Sequence, residues 1–184
     1  MATTMVEVEG IAEWPKLFEF NRDKPDWSKE TDGEYTVQIV LDDANKAKLE
    51  AAGTQKKFRT DAQGRGHVFA PTRPHLARNE WAGGAPKVAG PTGTMWNTEA
   101  DGLIGNGSRV RVLVAIYDAG QSRKGTRLEA VQVTELVPYI SEGGSGSQGG
   151  GVNSFFKDTT GGSAPSTPTP APKKVAVELD EIPF

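Results

Sequence analysis

The clearest pattern in this chain is the alternation of apolar and polar side chains over short stretches, which is typical of strands with one buried face. The pattern is best defined at residues 5–9, 34–42 and 109–117. The apolar positions that share a face are Val6 and Val8 in the first stretch, Tyr35, Val37, Ile39 and Leu41 in the second, and Val110, Val112, Val114 and Ile116 in the third. These stretches predict three strands, each with one face toward the core.

The segment after the second strand carries the signals of a short helix. Asp42 or Asp43 can cap residues 44–52, and Gly53 closes them. Residues 55–70 then predict a hairpin with a glycine-rich bend. Residues 71–93 are rich in Pro and Gly, and they predict a long functional loop that contains Trp81.

The end of this region predicts a second hairpin. A turn signal at residues 105–108 precedes the third strand, and residues 126–136 return as another strand. The inward phase of that strand shifts between Leu128 and Val131, which indicates a β-bulge. Residues 1–140 are thus predicted to form five or six strands and one short helix. The strands are too irregularly spaced along the chain for an immunoglobulin-like sandwich. The predicted fold class is all-β, a small antiparallel β-barrel of OB type followed by a disordered C-terminal tail.

The tail divides into a linker and a tip. Residues 141–174 are largely Gly, Ser, Thr and Pro, and such a segment buries too little apolar area to offset its ordering entropy. They predict a flexible linker between a domain at residues 1–140 and an acidic tip at residues 175–184. Pro183 restricts the backbone of the tip, so a partner pays less entropy to capture it. The residues assigned to this protein-interaction tip are Glu178, Asp180, Glu181, Ile182, Pro183 and Phe184.

The net charge of the whole chain argues against nucleic-acid binding, but the distribution of charge along the chain favours such binding. The 184 residues carry a formal charge of −3 at pH 7, with a pI near 5.5. Residues 53–90 hold seven cationic and two acidic side chains, whereas residues 1–52 hold six and twelve. Because charges more than about 8 Å apart are screened at physiological salt, the local excess matters more for phosphate binding than the total.

Cationic and aromatic side chains interleave in and beyond this basic segment, with His75 and Arg123 among them. This pattern suits single-stranded nucleic acid, since cations contact phosphates and aromatic rings stack on any base. The candidate contacts are Lys56, Lys57, Phe58, Arg59, Arg65, His67, Phe69, Arg73, Arg78, Trp81, Arg109, Arg111, Tyr117, Lys124 and Arg127. The alternative for any single cation is a solvated surface charge, and for Phe69 it is the core. Trp14, Phe18 and Tyr35 are expected in the core.

Enzymatic and metal-dependent functions find no support in the sequence. Residues 120–126 resemble a phosphate-binding loop, but Thr126 occupies the place of its lysine. His67 and His75 lack the spacing and carboxylate partners of a metal site, and the adjacent Asp42 and Asp43 are explained by helix capping. The chain has no cysteine, and no apolar run suits a signal peptide or a membrane span. We therefore expect a non-enzymatic protein without a cofactor or a membrane partner.

Several segments resemble the single-stranded DNA-binding proteins. The acids followed by Ile182, Pro183 and Phe184 resemble the C-terminus of the bacterial family, and many bacteriophage members end in acids and Phe. The body resembles the bacteriophage members in residues 12–18 (Ala-Glu-Trp-Pro-Lys-Leu-Phe), 105–108 (Gly-Asn-Gly-Ser) and 133–136 (Val-Thr-Glu-Leu).

This resemblance implies an OB-fold body that binds single-stranded DNA with little sequence preference. It also implies a role in phage DNA replication, recombination and repair in the cytoplasm of a bacterial host. The tail would recruit replication proteins such as a DNA polymerase or a helicase-primase.

Two other functions stay open at the level of the sequence. One is an OB module that binds RNA, which would differ in its use of the 2′-hydroxyl. The other is a virion or scaffold protein whose tail is an assembly peptide. The sequence leaves open whether the protein is a monomer or a homodimer.

Overall fold

Alternating buried and exposed side chains generate one eight-stranded sheet in the computed structural model, which describes residues 2–140. The strands are β1 (Thr3–Lys16), β2 (Glu34–Leu41), β3 (Arg59–Thr60), β4 (His67–Phe69), β5 (Thr72–Pro74), β6 (Lys87–Ala89), β7 (Arg109–Gly120) and β8 (Arg123–Glu135). The α-helices are α1 (Asp43–Ala51) and α2 (Thr98–Asp101), and 3-10 helices occupy Glu19–Asn21, Asp26–Thr31 and Glu80–Ala82. The predicted all-β class is confirmed.

The sheet order is β3-β4-β2-β1-β7-β8-β6, and β5 also pairs with β2. The long strands β2, β1, β7 and β8 are antiparallel neighbours, whereas β6 runs parallel to β8. Arg73 of β5 donates hydrogen bonds to the Leu128 carbonyl and the Glu129 carboxylate of β8. The β2–β5 side of the sheet therefore approaches β8, as the closure of an OB-type barrel requires.

The predicted inward faces form the core. All ten apolar positions assigned from the alternation are at most 9% exposed. Tyr35 is buried as expected, and Phe18 packs partly against the core. The helix α1 contributes Leu49, which is fully buried. Asp42 is its N-cap, because its Oδ1 accepts a hydrogen bond of 2.7 Å from the backbone N–H of Asn45.

The predicted bulge in the returning strand is present. Leu113 pairs with Ala130 and Val114 pairs with Leu128, so Glu129 is the extra residue on β8. The bulge explains why the inward phase shifts in the sequence, since Leu128 and Val131 both remain buried.

Some regions differ from the prediction. The first predicted strand, residues 5–9, is part of a longer strand, β1, and the predicted loop at 71–93 contains β5, β6 and a 3-10 helix. The expectation of a buried Trp14 is wrong, because its side chain is 63% exposed. The β1–β2 register shifts between Glu13 and Lys16, and Trp14 adopts a φ of +50°, so the backbone turns its side chain away from the core. The predicted linker (141–174) and tip (175–184) lie outside the described residues.

Candidate nucleic-acid interface

Three candidate contacts form an aromatic platform at the β7–β8 hairpin. We call Trp81, Tyr117 and Arg127 the platform. The guanidinium carbon of Arg127 lies 4.7 Å from the ring centre of Trp81 and 5.6 Å from that of Tyr117. Trp81 is 66% exposed, so a large aromatic surface remains open to solvent. An exposed indole backed by a cation has the chemistry that base stacking uses.

The hairpin geometry explains how the platform forms. Tyr117 pairs with Gly125, and Ala115 pairs with Arg127, so Tyr117 and Arg127 lie on the same face. A Cβ at residue 125 would lie 2.3 Å from the Tyr117 ring. Only glycine therefore lets the tyrosine ring lie across the hairpin at this place.

Arg73 is not a surface cation, and its assignment as a direct DNA contact is wrong. It is 8% exposed and donates hydrogen bonds to the carbonyls of Trp81, Gly83 and Gly84 at 2.9–3.0 Å. It also donates to the Glu129 carboxylate at 2.7 Å. Arg73 is therefore committed to holding the loop that carries Trp81.

The tip of the same hairpin is fastened to the segment that follows α1. The Gln55 side chain donates to the Ser122 carbonyl at 3.1 Å and accepts from the Lys124 N–H at 3.0 Å. The hydroxyls of Thr54 and Thr126 are 3.1 Å apart. These contacts bring the basic segment of residues 56–59 next to the cations of the hairpin tip.

Five of the predicted DNA contacts are cationic side chains with no carboxylate close to them among residues 2–140. Within residues 2–140, no carboxylate lies within 4.0 Å of the cationic groups of Lys56, Lys57, Arg59, Arg78 and Lys124. The same holds for Arg123. Lys56 is half-buried, and burial lowers its pKa while Glu34 opposes that shift. The other members are exposed, so they are available to phosphates.

Arg65 and His67 are engaged by carboxylates. Arg65 donates to Asp61 at 2.9 Å and to Glu13 at 2.8 Å, and the hydrogen bond from Arg65 lowers the pKa of Asp61 to about 2. His67 Nε2 lies 2.8 Å from the Asp43 carboxylate. Asp61 is only four positions from Arg65, whereas Glu13 and Asp43 are distant in the sequence from the side chains they pair with. The assignment of Arg65 and His67 as DNA contacts stays a prediction.

Arg109 and Arg111 are exposed on the outer face of β7, as predicted, but each has an acidic neighbour. Arg109 lies 3.8 Å from Glu135, and Arg111 lies 3.7 Å from Glu9. A pocket of about 350 Å³ beside them mixes acids and cations. Arg109 and Tyr117 are eight positions apart along β7, about 26 Å at 3.3 Å per residue. The candidate contacts therefore do not form one continuous cluster.

Phe58 and Phe69 belong to the core. Phe69 pairs with Ile39 across the sheet and is fully buried, and Phe58 stacks on it with ring centres 5.4 Å apart. Phe58 is half-buried and packs against the core cluster. A base cannot reach the Phe69 ring in the folded barrel, so its assignment as a DNA contact is wrong. The assignment of the half-buried Phe58 as a DNA contact stays a prediction.

Sequence reasoning missed a second exposed aromatic region, in the loop at residues 17–33, which we call the first loop. Phe20 is 66% exposed and Trp27 is 74% exposed, and Phe20 stacks on Phe18 with ring centres 5.8 Å apart. The loop joins β1 to β2, a position that borders the oligonucleotide site in OB folds. The available signal was the presence of large aromatic residues in an otherwise polar loop. The first loop, however, carries five acids and three bases.

Within residues 2–140, no three His, Asp or Glu side chains are grouped to hold a metal ion. None of the helices in that range has the length and apolar character needed to cross a bilayer.

Comparison with solved structures identifies the fold. The single-stranded DNA-binding protein from bacteriophage Enc34 matches with a TM-score of 0.52 and 11% identity, over 77% of this chain and 87% of that one. The same protein in complex with single-stranded DNA matches with a TM-score of 0.53 and 10% identity, over 74% and 89%. The predicted OB-type fold is thereby confirmed.

A third match is gp2.5, a single-stranded DNA-binding protein encoded by bacteriophage T7, at 17% identity over 80% of this chain and all of that one. Its TM-score of 0.49 is too low to add to the assignment. No protein-family model and no curated protein sequence matches the chain.

Proposed function

We propose that this protein binds single-stranded DNA with little sequence preference. The observation that carries the proposal is the exposed Trp81 ring, backed by Arg127 on a hairpin whose tip carries Arg123 and Lys124. Its fold is that of a phage protein whose structure contains single-stranded DNA, which supports the same ligand here. Stacking accepts any base, so this arrangement favours sequence-tolerant binding.

Binding would combine two contributions. Lys57, Arg59 and Lys124 contact phosphates, and their effect weakens with salt because binding releases condensed counterions. Trp81 stacks on a base, and this contribution depends little on salt. No proton transfer or covalent step is required, so the proposed function is not enzymatic.

In the cell, the domain at residues 1–140 would coat and protect transient single strands during phage DNA replication and recombination. The linker at 141–174 and the tip at 175–184 would recruit replication proteins, such as a DNA polymerase or a helicase-primase, in the cytoplasm of the bacterial host. The support for this part is the acidic, Phe-terminated sequence of the tip.

The proposed ligand can be tested by titrating the intrinsic tryptophan fluorescence with poly-dT at several salt concentrations. We expect quenching, tight binding and a steep fall of log K with log[salt]. A preference for poly-U would favour the RNA module, and the absence of binding to either polymer would favour a virion or scaffold role.

The role of the tail can be tested by truncation after Lys174. The acids of the tip imitate phosphates, so a tethered tip competes with DNA at an effective concentration of up to ~mM. We expect truncation to raise the affinity for poly-dT at ~50 mM salt, and the gain to shrink as salt screens the competition. Phe184→Ala should abolish partner recruitment and keep much of the competition, because the acids remain. Equal affinities of the truncated and full chains would show that the tail does not compete.

A further inference from the structure

A buried ion network lies directly beneath the platform. Arg73 and Arg127 both donate to the carboxylate of Glu129, at 2.7 Å to Oε2 and 2.5 Å to Oε1. The three side chains are 10%, 11% and 18% exposed, so this network is largely removed from solvent. We propose that Arg73 and Glu129 are positioning residues that hold Trp81 and Arg127 in the geometry that accepts a DNA base. This inference rests on the proposed function.

Arg73 fixes the loop side of the platform. Its Nη2 donates to the carbonyls of Trp81 at 3.0 Å and Gly83 at 2.9 Å, and its Nε donates to the carbonyl of Gly84 at 2.9 Å. These three bonds hold the backbone of the turn that carries the indole. A lysine at this position would keep the charge but could not present the same planar set of donors.

Glu129 fixes the strand side of the platform. It is the extra residue of the β8 bulge, and bulges re-aim side chains relative to a regular strand. Its two carboxylate oxygens accept from arginines on opposite sides, one in β5 and one in β8. Arg127 is thereby held over the Trp81 ring. With Arg127 on one face of the indole, a base can stack only on the other face, so the platform accepts one base.

Removing the Glu129 carboxylate changes the DNA affinity in opposite directions under the two explanations, positioning of the platform and simple electrostatic repulsion. A carboxylate repels a polyanion, so its removal should strengthen DNA binding if charge alone mattered. If Glu129 positions Trp81 and Arg127, its removal should weaken binding although a negative charge has been lost. The two explanations therefore predict opposite changes in affinity.

The experiment compares Glu129→Gln with Glu135→Gln in the full-length chain. Glu135 is a matched control, because it also lies on β8 but its side chain is 75% exposed, next to Arg109. We expect Glu129→Gln to weaken poly-dT binding about tenfold with little change in the salt slope. Glu135→Gln should bind as tightly as the wild type or more tightly. Arg73→Lys, which conserves the charge, should weaken binding as Glu129→Gln does.

A second measurement needs no DNA. In protein labelled with 5-fluorotryptophan, the ¹⁹F resonance of Trp81 is assigned with Trp81→Phe. We expect it to shift and broaden in Glu129→Gln and Arg73→Lys, while the resonance of Trp27 stays unchanged. Circular dichroism establishes that each variant is folded at the temperature of the measurement.

The outcomes separate this inference from the proposed function. Wild-type affinity or tighter binding in folded Glu129→Gln overturns the positioning role, whereas the wild type would still bind DNA. If Glu129→Gln does not fold, wild-type affinity or tighter binding in folded Arg73→Lys overturns the positioning role instead. If the wild type itself does not bind poly-dT, the proposed function fails. In that case the positioning role is still tested by the ¹⁹F spectra, because an unchanged Trp81 resonance in the variants would overturn it.

Discussion

Trp81 and Trp27 are two exposed tryptophans in similar local structure, but they lie in loops of different charge balance. Each lies in a 3-10 helix, and they are 66% and 74% exposed. Arg127 covers one face of Trp81, whose loop at residues 71–93 has three bases and one acid, whereas the first loop, which holds Trp27, has five acids and three bases. Exposure identifies an aromatic ring that can stack on a base, and the charge of the neighbouring residues affects whether a polyanion approaches that ring.

The position in the fold does not separate these two tryptophans. In OB folds, the loop between the first two strands and the loop between the last two both border the oligonucleotide site. The first loop holds Trp27, and the β7–β8 hairpin supports Trp81. A comparison of the two tryptophans therefore tests whether local charge or position in the fold decides which ring contacts DNA.

The largest expected effect is the loss of the platform indole. Trp81→Ala should weaken poly-dT binding by about 1–3 kcal/mol, because one stacked base is lost. The matched variant Trp27→Ala should weaken poly-dT binding much less, since the first loop carries more acids than bases. Binding titrations at one salt concentration, with thermal melts to establish folding, measure both. A larger loss in Trp27→Ala than in Trp81→Ala would reverse the assignment and favour topology over charge.

The strand faces could be predicted because a period of two is a local property of the sequence. Val110 to Ile116 alternate, and the structure buries the predicted face. Even the bulge was visible, since one extra residue changes the phase between Leu128 and Val131. These features depend on neighbours a few positions apart, which a linear pattern records.

The roles of individual cations could not be predicted, because they depend on residues far apart in the chain. Arg73 meets Glu129 across 56 positions, and Arg65 meets Glu13 across 52. In the sequence both arginines resemble Lys57, which has no carboxylate within 4.0 Å among residues 2–140. A local excess of positive charge therefore locates a basic segment but does not identify the side chains that are free to bind phosphate.

An intermediate effect is expected from the cations beside the hairpin tip. Changing Lys56, Lys57 and Arg59 together to Ala should weaken binding and flatten the plot of log K against log[salt] by roughly 0.7 per phosphate contact removed. Arg65→Gln is the control, because its charge is already neutralised by Asp61 and Glu13. We expect its slope to equal that of the wild type. Equal slopes for the triple variant and the wild type would place the phosphate path elsewhere.

The smallest expected effect comes from removing acids around Trp27. Asp26 and Glu30 lie in the same 3-10 helix as Trp27, and the Asp26 side chain is fully exposed, 3.6 Å from Lys29. Asp26→Asn combined with Glu30→Gln should raise the affinity for poly-dT about threefold at ~50 mM salt, because two repulsive charges are removed. The gain should disappear at ~500 mM salt, where the screening length falls to a few ångströms.

The same double variant shows whether the charge of these acids alone keeps Trp27 from contributing to DNA binding. In the neutralised background, Trp27→Ala should cost more affinity than it does in the wild type, because the ring has become accessible to the strand. The interaction between the ring and the two acids is the difference between these two costs, measured as a double-mutant cycle. A cost that is equally small in both backgrounds would mean that the DNA path does not cross the first loop. The contrast between the two tryptophans would then reflect the route of the strand, and the acids would be incidental to it.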